Sequence, residues 1–388
     1  MQSQAPIAII GAGPAGLTLA RLLEVADVPY VVFERDVSAC WANEHQSSGT
    51  LDLHPSTGQA ALLEAGLLPK FQSLARYGVP ITIADAQGKV HSLLSREGDE
   101  DEPEIDRKDL RDLLLSSLPA SKILWDHKIQ RIEKENNGSV IIHFMHQDPR
   151  SGFQLVVGAE GAWSRVRATI MPSKPQYSGI HFFSSFIKPE NPIYPLAASK
   201  AGTGNFLAFG KERQIFLYYL GDGSYHVSVG LRLSEKELPK DSILASAPST
   251  LWNTFLQEYF TGWASDLTDF VRSCDGKFRS WPLYTMTEDA ILSWNHVPGV
   301  TLVGDAVHLT VPTGDGVNNA MHDSVNLARH IISHGIDDLE SATLAYEKEM
   351  QPRAVAAIQK GHWMTRHMFL AEGPEEILAA METGFDSE

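Results

Sequence analysis

The chain has only two cysteines, Cys40 and Cys274, in 388 residues. That is too few for a disulfide framework and suits a reducing compartment. No apolar run approaches the roughly 20 residues of a membrane span. Met1 to Pro6 has no positive region, and Ile7 to Ile10 is too short for the core of a signal peptide. Positive charge is also scarce. Thirty-two basic residues stand against 48 acidic ones, a net charge of −16, so a polyanion such as nucleic acid is a poor partner. There is no H-E-x-x-H, no paired C-x-x-C and no G-x-S-x-G, which leaves zinc and triad chemistry without a motif. His362 and His367 are spaced i, i+5, which suits no helical metal site. Internal repeats and low-complexity tracts are absent. What is present is ordinary globular composition, 43% hydrophobic and 21% charged. The expectation is an acidic cytoplasmic protein without a membrane span, a monomer or weak dimer, built as two domains or one composite α/β unit.

The pattern opens as strand, turn, helix, strand. Ile7 to Ile10 is a short buried-strand run, Leu17 to Leu23 continues as an apolar-faced helix, and Tyr30 to Phe33 is a second strand. Ser56 to Leu68 and Arg107 to Leu118 read as helices. The acidic run Glu97 to Glu104 reads as a solvated loop. Asn137-Gly138, between Ile129–Ile132 and Val140–Phe144, signals a hairpin. After Pro172 the character changes. Ile180–Ile187, Phe206–Phe209, Ile215–Leu220 and Tyr225–Leu233 predict an antiparallel sheet, followed by helices over Thr250–Phe260 and Asp266–Val271. Val300–Val303 returns to the parallel-strand type. A helix over Val317–His334 stops at Gly335, and 339–370 is helical with an interruption at Pro352.

Two motifs carry chemistry. In Gly11-x-Gly13-x-x-Gly16 the glycines suit a tight turn, approach of a pyrophosphate, and close helix–strand packing. Pro14 and Ala15 then open a helix whose free N–H groups favour an anion. Glu34 ends the next strand, placed to accept from an adenosine ribose. This fingerprint does not separate FAD from NAD. The second motif is Gly304-Asp305, then Pro312-Thr313-Gly314-Asp315-Gly316-Val317. A strand delivers a carboxylate, and a glycine-rich turn feeds a helix that can face the flavin edge where reduction places negative charge. An ionised Asp315 in that turn would oppose the charge, unless it capped the helix or paired with a cation.

Gly-Ala-Gly-Pro-Ala-Gly, Phe33-Glu34-Arg35, the Val157–Arg167 segment and Gly304-Asp305 together resemble the single-component (class A) FAD-dependent aromatic hydroxylases of the para-hydroxybenzoate hydroxylase fold. Ser48–His54, Glu104–Arg111 and Ile123–Asp126 bring the resemblance nearer to the Tet(X)-type tetracycline-inactivating monooxygenases. The resemblance implies that Arg107 contacts FAD, Asp305 holds the ribityl chain, Gly49 and Asp52 line the flavin, and Arg35 lies beside the adenosine, at a position linked in some relatives to NADPH. The chain departs from the family at Glu160, where Asp is usual, and at Asp315.

The expected fold is α/β: a Rossmann-type FAD-binding domain (1–78, 100–174 and 290–335), interrupted by an antiparallel substrate domain (79–99 and 175–289), with a C-terminal helical region (336–388). The expected activity is that of a monooxygenase of secondary metabolism. NAD(P)H is the co-substrate, and a flavin C4a-hydroperoxide inserts oxygen into an apolar aromatic or polycyclic molecule. An oxidase or dehydrogenase, or a redox-silent binding protein on the same fold, stays as an alternative. Expected substrate contacts are Phe183, Phe206 and Phe216, with Pro312 and Thr313. Strand alternation requires half of the aromatic residues in the insert to face its core.

Overall fold

The computed structural model describes residues 6–39, 49–94, 101–135, 138–235 and 249–385, without the side chains of 249–251. Cys40, Ser48, Asn137 and residues 97–100 of the acidic run lie outside the described residues.

The strands are β1 (Ile7–Ile10), β2 (Tyr30–Phe33), β3 (Thr50–Asp52), β4 (Ile81–Asp85), β5 (Val90–Leu94), β6 (Glu104–Asp106), β7 (Ile123–Leu124), β8 (Ile129–Lys134) and β9 (Val140–Phe144). They continue as β10 (Arg150–Phe153), β11 (Leu155–Gly158), β12 (Gln176–Ile187), β13 (Asn205–Gly210), β14 (Arg213–Tyr219), β15 (Tyr225–Arg232), β16 (Asp275–Thr285) and β17 (Val300–Leu302). Five form a parallel sheet in the order β17-β11-β1-β2-β7. Between β11 and β17 the chain leaves this sheet to build most of a seven-stranded one, ordered β16-β12-β15-β14-β13-β4-β5. Strand β1 is central and lies between β11 and β2, which is why Ile7 to Ile10 is unbroken apolar sequence and at most 2% exposed. β8 and β9 pair antiparallel across the predicted hairpin, and Gly138 there has φ +87°.

Several elements differ from expectation. The larger sheet is not wholly antiparallel, because β13 pairs parallel with β4. Strands β4, β5 and β16 carry weak signals. β16 contains Gly276 and Pro282, tolerated because it is an edge strand with register shifts. The helix Tyr194–Ala201 was not indicated. The Ser56–Leu68 stretch divides into a π-helical turn, Pro55–Gln59, and the helix Ala60–Glu64. Glu104 is not solvated. It is 4% exposed in β6, where Thr50 Oγ1 donates to Oε2 (2.9 Å) and Asn205 Nδ2 donates to Oε1 (2.7 Å). Arg76 also pairs with it at 3.4 Å, so the buried charge is compensated. Pro352 does not interrupt its helix, which runs from Leu339 to Phe369. The proline is exposed, so the carbonyl it leaves unpaired can turn to water.

Two cores result. One fills both sides of the parallel sheet. The other packs Phe183, Phe206, Tyr225, Val227 and Val229 against Trp252, Phe255 and Phe270 of the helices Ser249–Tyr259 and Ser265–Arg272. Alternation turns Phe182, Leu207, Phe216 and Tyr218 to the opposite face, with Met368 and Ile377 of the C-terminal helices. No helix of the described residues is long and apolar enough to cross a membrane.

Candidate active site

The glycines of the first turn have three different surroundings. Gly11 has φ +109°, and a Cβ there would stand 2.5 Å from the Ala159 carbonyl oxygen. A Cβ on Gly16 would meet the Gly11 carbonyl oxygen at 2.0 Å, so the helix Pro14–Val25 can approach only without one. A Cβ on Gly13 meets nothing within 4 Å. Pro14 starts the helix, where its missing N–H costs nothing, and Ala15 is buried beside it. Glu34 is 6% exposed and turns back to this loop. Its Oε2 accepts the Ala12 N–H at 2.5 Å, and its Oε1 accepts the Asp36 N–H at 3.0 Å. Arg35 is exposed.

Arg111 joins this group without having been singled out. Nε donates to the Ala12 carbonyl (3.1 Å), Asp36 lies 3.7 Å away, and Nη1 and Nη2 are buried without a hydrogen-bond partner among the described residues. The available signal was its place one turn beyond Arg107 on the helix Arg107–Leu115.

Arg107 and Asp305 are exposed by surface area, yet both are strongly desolvated. Surrounding protein lowers the pKa of the Arg107 guanidinium, opposed by Asp305. Burial raises that of the Asp305 carboxyl, opposed by His308, Arg107 and Arg167. Solvent reaches both side chains although protein surrounds them, so they lie in a concave part of the surface, within electrostatic reach of each other. Gly49 sits beside Arg107: its carbonyl accepts the Arg107 N–H (2.9 Å), and a Cβ on it would stand 3.8 Å from Arg107 Nε. Asp52 is tied in through its carbonyl, which accepts Asn318 Nδ2 at 2.8 Å. Asn318 Oδ1 also accepts the His54 N–H (2.8 Å) and the Gly58 N–H (3.2 Å), clasping β3 to the start of the helix Gly316–His334.

Behind Asp305 lies a buried network. Asp323 accepts the Gly304 N–H (3.0 Å), His308 Nε2 (2.9 Å) and Arg353 (3.1 Å), and so holds Gly304 at φ 63°. Burial disfavours the charged His308 ring, but Asp323 outweighs it and holds the pKa above the ordinary value. Glu160 is also pushed up by burial, against the Val166 and Arg165 N–H groups that its Oε1 accepts, each at 2.8 Å. Arg167, 3% exposed, donates to the Ala306 carbonyl (3.0 Å) and joins the Glu160 segment to that of Asp305.

In the following turn Pro312 and Gly316 are exposed, Thr313 is half-buried and Val317 is buried. Asp315 stands at the helix start without capping it and pairs with Lys360. The face of the larger sheet that carries Phe182, Leu207, Phe216 and Tyr218 also carries His226, its ring 6.1 Å from that of Tyr218. Burial and then Arg107 push His226 down to about 4, and its Nδ1 is buried without a partner among the described residues. Tyr218 is pushed up by burial and by Glu104 and Asp52. His226 thus lies within electrostatic reach of Arg107, and Tyr218 within reach of Glu104 and Asp52. Phe216 belongs to this face. Phe183 and Phe206 do not: both are fully buried on the far side of the sheet.

The FAD binding domain family matches residues 4–186 and 272–361. The chain belongs to this family. It is 31% identical to the monooxygenase asqM of Emericella nidulans, over 98% of this chain and 99% of that protein. Among solved structures it is similar to Klebsiella pneumoniae HpxO in complex with FAD and uric acid (TM-score 0.76, 18% identity, 96% and 91% of the two chains). It is also similar to the tetracycline destructase Tet(55) (TM-score 0.74, 19% identity, 99% and 97%). The protein is thus an FAD-dependent monooxygenase with a Rossmann-type cofactor fold, a second sheet inserted in it and a helical C-terminal region. Its residues fit the cofactor. Gly13 leaves open space at the helix start, Arg111 Nη1 and Nη2 lack a hydrogen-bond partner among the described residues beside the loop, and Arg107 and Asp305 are within electrostatic reach of each other.

Proposed function

We propose that the parallel-sheet unit holds FAD without a covalent bond, that NAD(P)H docks and leaves, and that an apolar aromatic or polycyclic substrate lies on the Phe182–His226 face of the larger sheet. What supports this is the electrostatic reach of Arg107 to His226 and of Asp52 to Tyr218, which ties that aromatic face to the side chains expected to hold FAD. When bound, FAD supplies two-electron exchange with NAD(P)H and activation of O₂, so that one oxygen atom enters the substrate and the other leaves as water.

The chain's own residues position and shield. Gly11 to Gly16 and the N–H groups behind Pro14 and Ala15 receive the pyrophosphate. Glu34, which already accepts the Ala12 N–H, keeps free lone pairs for the ribose hydroxyls. Asp305 accepts from the ribityl chain, while Asp323 fixes the turn that aims it. Gly49, Asp52, Gly316 and Val317 border the flavin ring. The exposed Arg35 suits a phosphate of the nicotinamide cofactor. Phe182, Leu207 and Phe216 exclude water from the substrate, with Pro312 and Thr313 opposite. His226, neutral at pH 7, and Tyr218, which keeps its proton, orient a neutral polar group of the substrate without demanding a charge.

The test is a substrate screen on FAD-loaded enzyme, scored by accelerated NAD(P)H oxidation and by one labelled oxygen per product from labelled O₂. Neutral multi-ring compounds are expected to stimulate and to gain the label. Stimulation confined to small anionic benzoates, or stoichiometric peroxide with no oxygenated product, would overturn the proposal.

A further inference from the structure

A carboxylate at the start of the helix Gly316–His334 is out of place if that helix faces the flavin. Reduced flavin is an anion, and the helix start stabilises it only when no negative charge intervenes. Asp315 does not cap the helix through its side chain. Its Oδ2 lies 2.5 Å from Lys360 Nζ and accepts from Thr313 Oγ1 at 3.2 Å, and its Oδ1 lies 3.7 Å from His54 Nδ1. Lys360 comes from the helix Leu339–Phe369, and the next residue shows how that helix gets so near. A Cβ on Gly361 would stand 1.6 Å from Thr310 Oγ1, so only glycine lets the helix seat on the segment leading to Asp315. Phe369 and Met368 of the same helix pack with Val311. Apart from His54, Lys360 is the only basic side chain paired with Asp315 among the described residues.

We infer that Lys360 is the counter-ion that sets the reduction potential of the flavin: by pairing with Asp315 it converts a net negative charge beside the flavin-facing turn into a local dipole. The inference rests on the proposed placement of FAD against Gly316 and Val317. A paired charge falls off faster with distance than a lone one, so the helix start keeps its net positive character. Lys360 touches neither flavin nor substrate; it is a positioning residue that acts through Asp315.

The experiment is a dye-equilibrated reductive titration of FAD-loaded wild type, Lys360→Met, Lys360→Arg, Asp315→Asn and the double variant Asp315→Asn/Lys360→Met. Lys360→Met is expected to weaken binding of reduced relative to oxidised FAD about tenfold, a fall of about 30 mV in the two-electron midpoint. Lys360→Arg should keep the wild-type value, and the double variant should return to within about twofold of it. A purely structural contact would lower the melting temperature of Lys360→Met but leave its potential in place, and that result overturns the inference. So does a double variant that retains the full shift of Lys360→Met. If the wild type takes up no FAD, the underlying placement fails and the inference with it; if all variants bind FAD and share one potential, the inference alone fails.

Discussion

Gly11 and Gly13 stand two residues apart and should fail in opposite ways. Gly13 has φ −86° and ψ 179°, extended backbone open to any residue, and faces open space. Gly13→Val should therefore melt near the wild-type apoprotein but lose FAD, because its side chain takes the pyrophosphate's place. Gly11→Ala should cost roughly 2 kcal/mol or more in urea unfolding, from its positive φ and the Ala159 carbonyl. A Gly13→Val protein that stays yellow would count against the proposed pyrophosphate site. His181 offers a residue-scale test of a different kind. Burial pushes it down to about 4 from its ordinary value. Between the two values the unfolded chain binds more protons than the folded one, so this stability is present above the ordinary value and lost as pH falls. Comparing pH 7 with pH 5, His181→Gln should reduce the pH-dependent loss of unfolding free energy by about 2 kcal/mol; parallel curves for both proteins would refute a neutral buried His181. Glycines, Glu34 and Asp305 were legible in the sequence because their motifs are local. Arg111, Asn318 and Lys360 were not, because each acts across at least one other element, and a lone Arg, Asn or Lys in a helix says nothing of what it will meet.

Elements with strong periodicity were read correctly as elements: β1, β2, β15 and the helices Arg107–Leu115 and Gly316–His334 all follow their apolar spacing. Those set by tertiary partners were not. β16 is recruited to the sheet by β12 despite its glycine and proline, and Glu104 belongs to β6 because Arg76, Thr50 and Asn205 meet it there. The aromatic residues of the insert show the limit most clearly. Alternation says that half face inward, but only the assembled sheet says that Phe216 shares a face with Phe182 and Tyr218 while Phe183 and Phe206 lie on the other. Pro352 gives an element-scale prediction. It lies on the exposed side of an unbroken helix and removes one hydrogen bond. Pro352→Ala should raise unfolding free energy by about 1–3 kcal/mol. No change or a loss of stability would show that the proline supports the helix's path.

At the scale of the whole molecule, the proposed site draws on three parts: the parallel sheet with its glycine turn, the aromatic face of the inserted sheet, and the C-terminal helix seated through Gly361. The sequence order of fingerprint, insert, second flavin motif and helical tail is the spatial logic of the fold, since β17 returns to β11 after the insert and delivers Asp305 beside the first turn. FAD binding by this site shows in the absorbance spectrum of the purified, FAD-incubated protein, followed by acid precipitation and quantification of the released flavin. A yellow protein that releases about one FAD per chain into the supernatant is expected. A colourless protein that takes up no FAD would contradict the proposed site.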